Sequence, residues 1–389
     1  MNLSGNWNFP APIRFGPGTI AELPAACREL GMKRPLLVTD PGLASLPIVE
    51  HAIQINEEAG LPTGLFSQMQ GNPIGEDVDR GTEMLRAGGY DGVIAFGGGS
   101  ALDVGKAIAL MAGQTRPLWD FEDAGDNWTR VDEAAMVPCV AVPTTSGTGS
   151  EVGRCSVITN EDEHRKVIIF HARMLPGRII CDPELTVGLP AKITAAVGMD
   201  ALSHNLEAFC APGYHPMADG IALEGMFKVH QALERAYGDG ADIEARADMM
   251  IASTMGATAF QKGLGAMHSM SHPVGAVIGA HHGLCNAVFM PYVLGFNRPV
   301  IDDRMSHLAR YLDLPGQGFA GVLDWVLGLR ERLGIPHTSS PLGVIREEIP
   351  HLARMGATDP TAPTNPVPLT TENMTALFEQ SLAGEVVVR

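Results

Sequence analysis

The chain runs to 389 residues, of which 45% are hydrophobic and 18% charged. That length exceeds one typical core, so two domains are expected, and the composition excludes wholesale disorder. A formal net charge of -17 at pH 7, with no Lys/Arg-rich tract, argues against nucleic acid or an anionic membrane surface as the main partner.

In chain order, the N-terminal "MNLSGNWNFPAPIRFGPG" has no apolar run behind a basic start, so no secretory leader is expected. "RPLLVTD" (34–40) reads as a strand ending in an acid, "GVIAFGG" (92–98) as a second and "MVPCVAVPTT" (136–145) as a third. Between them, "IVEHAIQINEEAG" and "DRGTEMLRAGGY" have helical spacing and close on glycine. "SALDVGKAIALMAG" (100–113) opens with Ser100, a residue suited to capping. Such alternation predicts an α/β fold with a parallel sheet covered by helices. After "CDPELTVGLP" (181–190) strand signals fade and Ala, Met and Leu-rich helical text follows. We therefore expect an α/β domain over 1–185 and an all-helical domain over 186–389. Nowhere do eighteen apolar residues run without a charge, so no membrane span is expected. The six cysteines are scattered with no C-x-x-C pair, which reads as free thiols in a reducing cytoplasm.

Three loops fall at the ends of the three strands. Gly97, Gly98 and Gly99 let backbone N–H groups approach an anion, and the helix from Ser100 points its positive end the same way. Leu102 stands where a usual dinucleotide fingerprint has its third glycine, so the motif is a phosphate site by its physics alone. Asp40, at a strand end, is placed to accept from a ribose 2′-OH and to repel a 2′-phosphate, which favours NAD over NADP; an Asp before Pro-Gly also reads as a turn residue. "PTTSGTGSE" (143–151) offers the hydroxyls of Thr144, Thr145 and Thr148.

The helical half carries the metal-ligating residue types. In "DALSHNLEAF" (200–209), Asp200 and His204 share one helical face. His268 and His272 do the same in "GLGAMHSMSHPVGAVIGAHHGLCN", and Pro273 is expected to break the helix behind them. On one straight helix His268 and His282 would stand about 21 Å apart, so a Pro/Gly bend must bring them together. One Asp and three His form a mixed O/N donor set suited to Fe²⁺ or Zn²⁺.

"GGGSALDVGKA", "PTTSGTGSE", "CDPELT", "DALSHNLEAF" and the histidine segment, in this order over roughly residues 5–385, resemble the iron-containing (group III) alcohol dehydrogenases. In that family an N-terminal nucleotide-binding domain precedes an all-helical one, an architecture shared with dehydroquinate synthase and glycerol dehydrogenase. The resemblance implies that Asp200, His204, His268 and His282 bind iron, with zinc as an alternative. It places His272 near the nicotinamide, where we read it as a catalytic proton relay. It also assigns to NAD the loops Gly97–Ser100 and Thr144, Thr145 and Thr148, together with Asp40, Asn72, Lys166 and Leu185. The implied reaction is reversible hydride transfer between an alcohol carbon, its oxygen stabilised as alkoxide by the cation, and NAD. A homodimer is the family expectation. His281 matches no family role and reads as a cap.

Two cations depart from the family pattern, Arg154 and Lys262. If both face substrate, the enzyme takes a semialdehyde or hydroxy acid; otherwise they form structural salt bridges. A maleylacetate reductase-like enzyme of the same fold is a further alternative, although those are metal-free and all four ligands are present here. Glycerol dehydrogenase-like enzymes bind zinc with one Asp and two His, one His fewer than here. A non-enzymatic nucleotide or metal sensor would have little need for both cofactor loops and a relay histidine.

Overall fold

The computed structural model describes residues 12–163 and 165–388. The first eleven residues, and with them most of the stretch scanned for a leader, lie outside the described residues. So do His164 and Arg389, at the far end of the second expected domain. Within this span the chain forms two compact units, one of residues 12–145 with Gly149–Val187, the other of Ser146–Thr148 with residues 188–388.

The first unit opens with β1 (Ile13–Phe15) and α1 (Leu23–Glu29), then alternates: β2 (Pro35–Val38), α2 (Pro47–Glu58), β3 (Gly64–Phe66), α3 (Gly75–Gly88), β4 (Gly92–Gly97), α4 (Gly99–Met111) and β5 (Cys139–Pro143). An antiparallel hairpin of β6 (Cys155–Asn160) and β7 (Arg165–Phe170) precedes β8 (Arg178–Cys181). Six strands form one all-parallel sheet in the order β1-β8-β5-β4-β2-β3. Every residue of β2, β4 and β5 is buried, as a parallel sheet covered on both faces requires, and this is why these strands read as unbroken apolar runs.

Among the described residues of the second unit, regular structure is helical: α5 (Ala191–Cys210), α6 (Pro216–Gly238), α7 (Ile243–Ala259), α8 (Ala266–Ile278), α9 (His282–Tyr311), α10 (Gly318–Arg332), α11 (Ile349–Ala357) and α12 (Thr371–Ala383). Buried from Thr194 to Cys210, α5 is the unit's central helix and packs against α6, α7 and α9.

Two local expectations need correction. Pro273 does not end its helix; α8 continues to Ile278. A proline inside a helix removes one N–H donor, here the partner of the Ser269 carbonyl. That carbonyl is covered by α11 at Gly356, where a Cβ would lie 2.6 Å from the Ser269 oxygen. The turn-back comes at Gly279, whose φ of 76° is left-handed, and His281 then caps α9 by accepting from Leu284 N. Nor is Ser100 a cap. The helix α4 starts one residue earlier, capped by Gly98 with no side-chain bond, and Ser100 Oγ donates instead to the Gly71 carbonyl at 2.6 Å.

No helix among the described residues is long and apolar enough to cross a membrane.

Candidate functional site

In the sheet unit, Asp40, the glycine turn and the start of the hydroxyl loop follow the C-terminal ends of β2, β4 and β5, three strands adjacent in the sheet. Open α/β sheets bind ligands at this edge. Gly97 has φ 143°, a conformation that only glycine adopts readily, and a Cβ there would lie 2.8 Å from Ala101 Cβ. Its carbonyl accepts from Thr144 N at 3.0 Å, which ties the hydroxyl loop to the glycine turn. Thr145 flanks Gly98. Asp40 Oδ1 accepts from Gly42 N (2.8 Å) and Leu43 N (3.1 Å), an Asx turn that holds the carboxylate at the strand end. Asn72 follows Gly71, whose carbonyl receives Ser100 Oγ. Lys166 lies on β7, paired in register with Thr159. Leu185 is buried with Val142 and Ile180 in the sheet unit's core. Thr148 falls instead in the helical unit.

Ligand atoms of Asp200, His204, His268 and His282 all lie within 4.8 Å of one another in the helical unit. Three helices and one chain reversal produce this. Asp200 and His204 are one turn apart on α5, His268 lies in the first turn of α8, and the reversal at Gly279 returns His282 to within 5.2 Å of His268, ring centre to ring centre. His272 stacks on His282 at 5.5 Å. Thus five of the residues picked from sequence converge.

The Nδ1 atoms of three of these histidines, His204, His268 and His272, meet neighbours that sequence reasoning missed. Glu207, one turn beyond His204, sets Oε2 2.6 Å from His268 Nδ1. His204 Nδ1 lies 3.2 Å from the Gly147 carbonyl. His272 Nδ1 lies 2.9 Å from Asp359 Oδ2, while Asp359 Oδ1 accepts from Thr361 N and Oγ1. Burial drives the His204 pKa down to about 4 against the opposing charge of Asp200, so its ring is neutral near pH 7. For His268 burial acts the same way, but the Glu207 hydrogen bond and charge outweigh it and raise the pKa. Burial also raises the Asp359 carboxyl, yet His272 and the Thr361 hydrogen bonds hold it below its ordinary value.

This arrangement fits a metal. Asn286 Nδ2 donates to Asp200 Oδ1 at 2.8 Å and lies 3.2 Å from both His268 Nε2 and His282 Nε2. Three polar atoms of the cluster therefore converge on one point, while Asn286 Oδ1 is buried with no hydrogen-bond partner. One carboxylate and three imidazoles, two of them anchored through Nδ1, form a donor set that a divalent first-row cation prefers.

The two cations proposed for substrate fare differently. Lys262 is corrected: its side chain is fully buried, with Nζ 2.5 Å from Asp219 Oδ1 and 3.2 Å from the Phe209 carbonyl. Asp219 is shared with Arg304 at 3.2 Å, so Lys262 belongs to a structural ion cluster rather than a binding surface. Arg154 stacks its guanidinium over Phe170, 5.6 Å from the ring centre.

Comparison with known proteins agrees with this geometry. Residues 10–183 match the family model described as iron-containing alcohol dehydrogenase, and residues 194–382 match the C-terminal model of the Fe-containing alcohol dehydrogenase family. The chain is 40% identical over 380 residues to a 4-hydroxybutyrate dehydrogenase of Cupriavidus necator, covering 95% of this chain and 98% of that one. It is 34% identical to an NAD-dependent methanol dehydrogenase of Bacillus methanolicus, covering 97% and 100%. A crystal structure of a 1,3-propanediol oxidoreductase superposes with a TM-score of 0.92 at 32% identity, covering 97% and 99%.

Proposed function

Because the chain belongs to the iron-containing alcohol dehydrogenase family, we propose that it is an NAD-dependent, divalent-metal-dependent alcohol dehydrogenase that interconverts a short alcohol and its aldehyde. The observation that carries this reading is the convergence of Asp200, His204, His268 and His282 within 4.8 Å in the helical unit, the first three of them buried. These four residues would hold Fe²⁺ or Zn²⁺. Such an ion supplies Lewis acidity, lowering the pKa of a hydroxyl that reaches it. The nicotinamide ring supplies the hydride acceptor, and the chain's own residues do the rest.

Backbone N–H groups of Gly97, Gly98 and Gly99 and the N-terminus of α4 bind the diphosphate. Asp40 accepts from the adenosine ribose, which favours NAD over NADP. Thr144, Thr145 and Thr148 donate hydroxyls, and Asn72, Lys166 and Leu185 contact the adenine and nicotinamide ends, as the family resemblance implies. His272 passes the proton between substrate oxygen and solvent. Its Nδ1 is committed to Asp359, so Nε2 is the exchanging nitrogen. In this reading 1–185 binds the dinucleotide and 186–389 binds metal and substrate. On the same reading the protein acts in the cytoplasm as a homodimer; the scattered placing of its six cysteines, with no C-x-x-C pair, supports the first point and the family resemblance the second.

A second reading, a hydroxy-acid or semialdehyde dehydrogenase, is favoured by the likeness to the 4-hydroxybutyrate enzyme. With Lys262 removed, Arg154 is the cation left to meet a carboxylate. Steady-state kcat/KM with NAD and NADP against short alcohols, diols and 4-hydroxybutyrate tests both readings. NAD-linked oxidation of neutral alcohols supports the first, selectivity for the hydroxy acid the second, and no NAD-linked oxidation of any of them overturns both.

A further inference from the structure

Glu207 is 5% exposed, yet each of its carboxylate oxygens meets one donor: Oε1 accepts from Met267 N at 2.7 Å and Oε2 from His268 Nδ1 at 2.6 Å. We propose that Glu207 is a positioning residue of the metal centre, which fixes both the tautomer and the place of His268 before any metal arrives. This rests on the metal-centre reading given above.

Asp200, His204 and Glu207 lie at positions i, i+4 and i+7 of α5, one stripe on one face. The same helix thus carries two candidate ligands and the carboxylate that holds a third. Met267 N belongs to the first turn of α8, where an N–H has no partner inside its own helix, and the N-cap residue Gly265 has no side chain to supply one. Glu207 therefore does from α5 what a capping carboxylate does, and so locks α8 in position through the residue next to His268. A side chain at position 265 would intrude: a Cβ there would lie 3.2 Å from Glu207 Oε1 and 2.6 Å from Asn365 Oδ1.

A carboxylate oxygen accepts, and Met267 N–H, which can only donate, seats the Glu207 side chain as an acceptor. Facing it, His268 Nδ1 must carry the proton, which leaves the Nε2 lone pair among the converging donor atoms. Ligating histidines generally hand their second nitrogen to such a partner, which sets the ring and raises its basicity. Glutamine has the same shape but one acceptor and one donor group, while both of its neighbours here are donors. Placed with its oxygen on Met267 N, it turns its NH₂ toward His268 and forces the proton onto Nε2. Placed the other way, it sets NH₂ against a backbone N–H in a buried site.

The test titrates Zn²⁺ into metal-free full-length protein against a chromogenic chelator, for wild type, E207Q, H268A and the double variant. Loss of a partner of this kind weakens metal binding by about 10- to 100-fold, and E207Q should lose that much. In the H268A background E207Q should add almost nothing, because the carboxylate acts through His268. Wild-type affinity in E207Q, or an undiminished loss in the H268A background, would overturn the proposal. Should E207Q not fold, ¹⁵N imidazole spectra of the metal-free wild type, taken at a pH where the His268 ring is neutral, decide: the single proton on Nδ1 supports the proposal, and on Nε2 refutes it. A wild type that takes up no Zn²⁺ overturns the metal-centre reading itself, and this inference with it.

Discussion

Gly283 follows His282 in the first turn of α9, and its packing sets how close that turn comes to α5. A Cβ on Gly283 would lie 2.5 Å from the Ala196 carbonyl oxygen and 3.1 Å from Asp200 Cβ. Ordinary carbon contacts fall at about 3.5–4.0 Å, so in Gly283→Ala the two helices must part by roughly 1 Å. Helix propensity alone predicts the opposite sign, since alanine gains up to about 1 kcal/mol over glycine in a helix. Overpacking costs about 1–3 kcal/mol, so the net loss should be on the order of 1 kcal/mol, a fall in Tm of about 2–4 °C for a unit of this size. The larger effect falls on the metal. Workable sites keep ligand distances within about 0.2 Å, and His282 would be carried away from Asp200 by several times that. We expect Zn²⁺ affinity to fall by on the order of tenfold or more, read by chelator competition beside a thermal melt. A variant that melts higher than wild type and binds Zn²⁺ as tightly would refute the packing argument.

The metal-free protein should lose stability in acid through His204. Its folded-state pKa is near 4 against about 6.5 unfolded, so between these values the unfolded chain binds the proton and the folded one does not. Its contribution, up to about 3 kcal/mol, is complete above pH 6.5 and lost as pH falls toward 4; Tm measured against pH should flatten in that window in His204→Asn. Lys262→Met breaks a buried ion pair and should cost about 1–3 kcal/mol in a denaturant melt. It should leave the ratio of kcat/KM for neutral and acidic aldehydes unchanged, and a loss confined to the acidic one would restore Lys262 to the substrate site. His272→Asn should lower kcat by about 10²-fold while Zn²⁺ binding persists, and Asp359→Asn should do so less severely; unchanged kcat in both would remove the relay.

What could be read from sequence follows physical range. Buried parallel strands are short apolar runs ended by glycine or an acid, so β2, β4 and β5 and the loops after them were visible, as were ligand pairs one helical turn apart. By contrast β1 and β3 are three residues long, too short to show a period. Pro273 misled because the helix loses only one hydrogen bond there, and the Ser269 carbonyl it frees is covered by a glycine of α11 far along the chain. Glu207 and Asp359 stayed hidden because their partners stand 61 and 87 residues away. The one available signal was that Glu207 continues the Asp200–His204 stripe by one turn. Lys262 was ambiguous in principle, since a cation beside a ligand helix reads alike whether it meets a substrate or Asp219.

The central claim is that the Asp200–His204–His268–His282 cluster holds the metal on which catalysis depends. The most direct measurement strips the full-length protein with a chelator, reloads it with Fe²⁺, Zn²⁺ or nothing, and follows NADH formation from a short alcohol. Activity should vanish on stripping and return with metal, and His268→Ala should bind the metal far more weakly than wild type and not recover. Full NAD-linked activity in the stripped protein, its metal content confirmed as nil, would contradict the account.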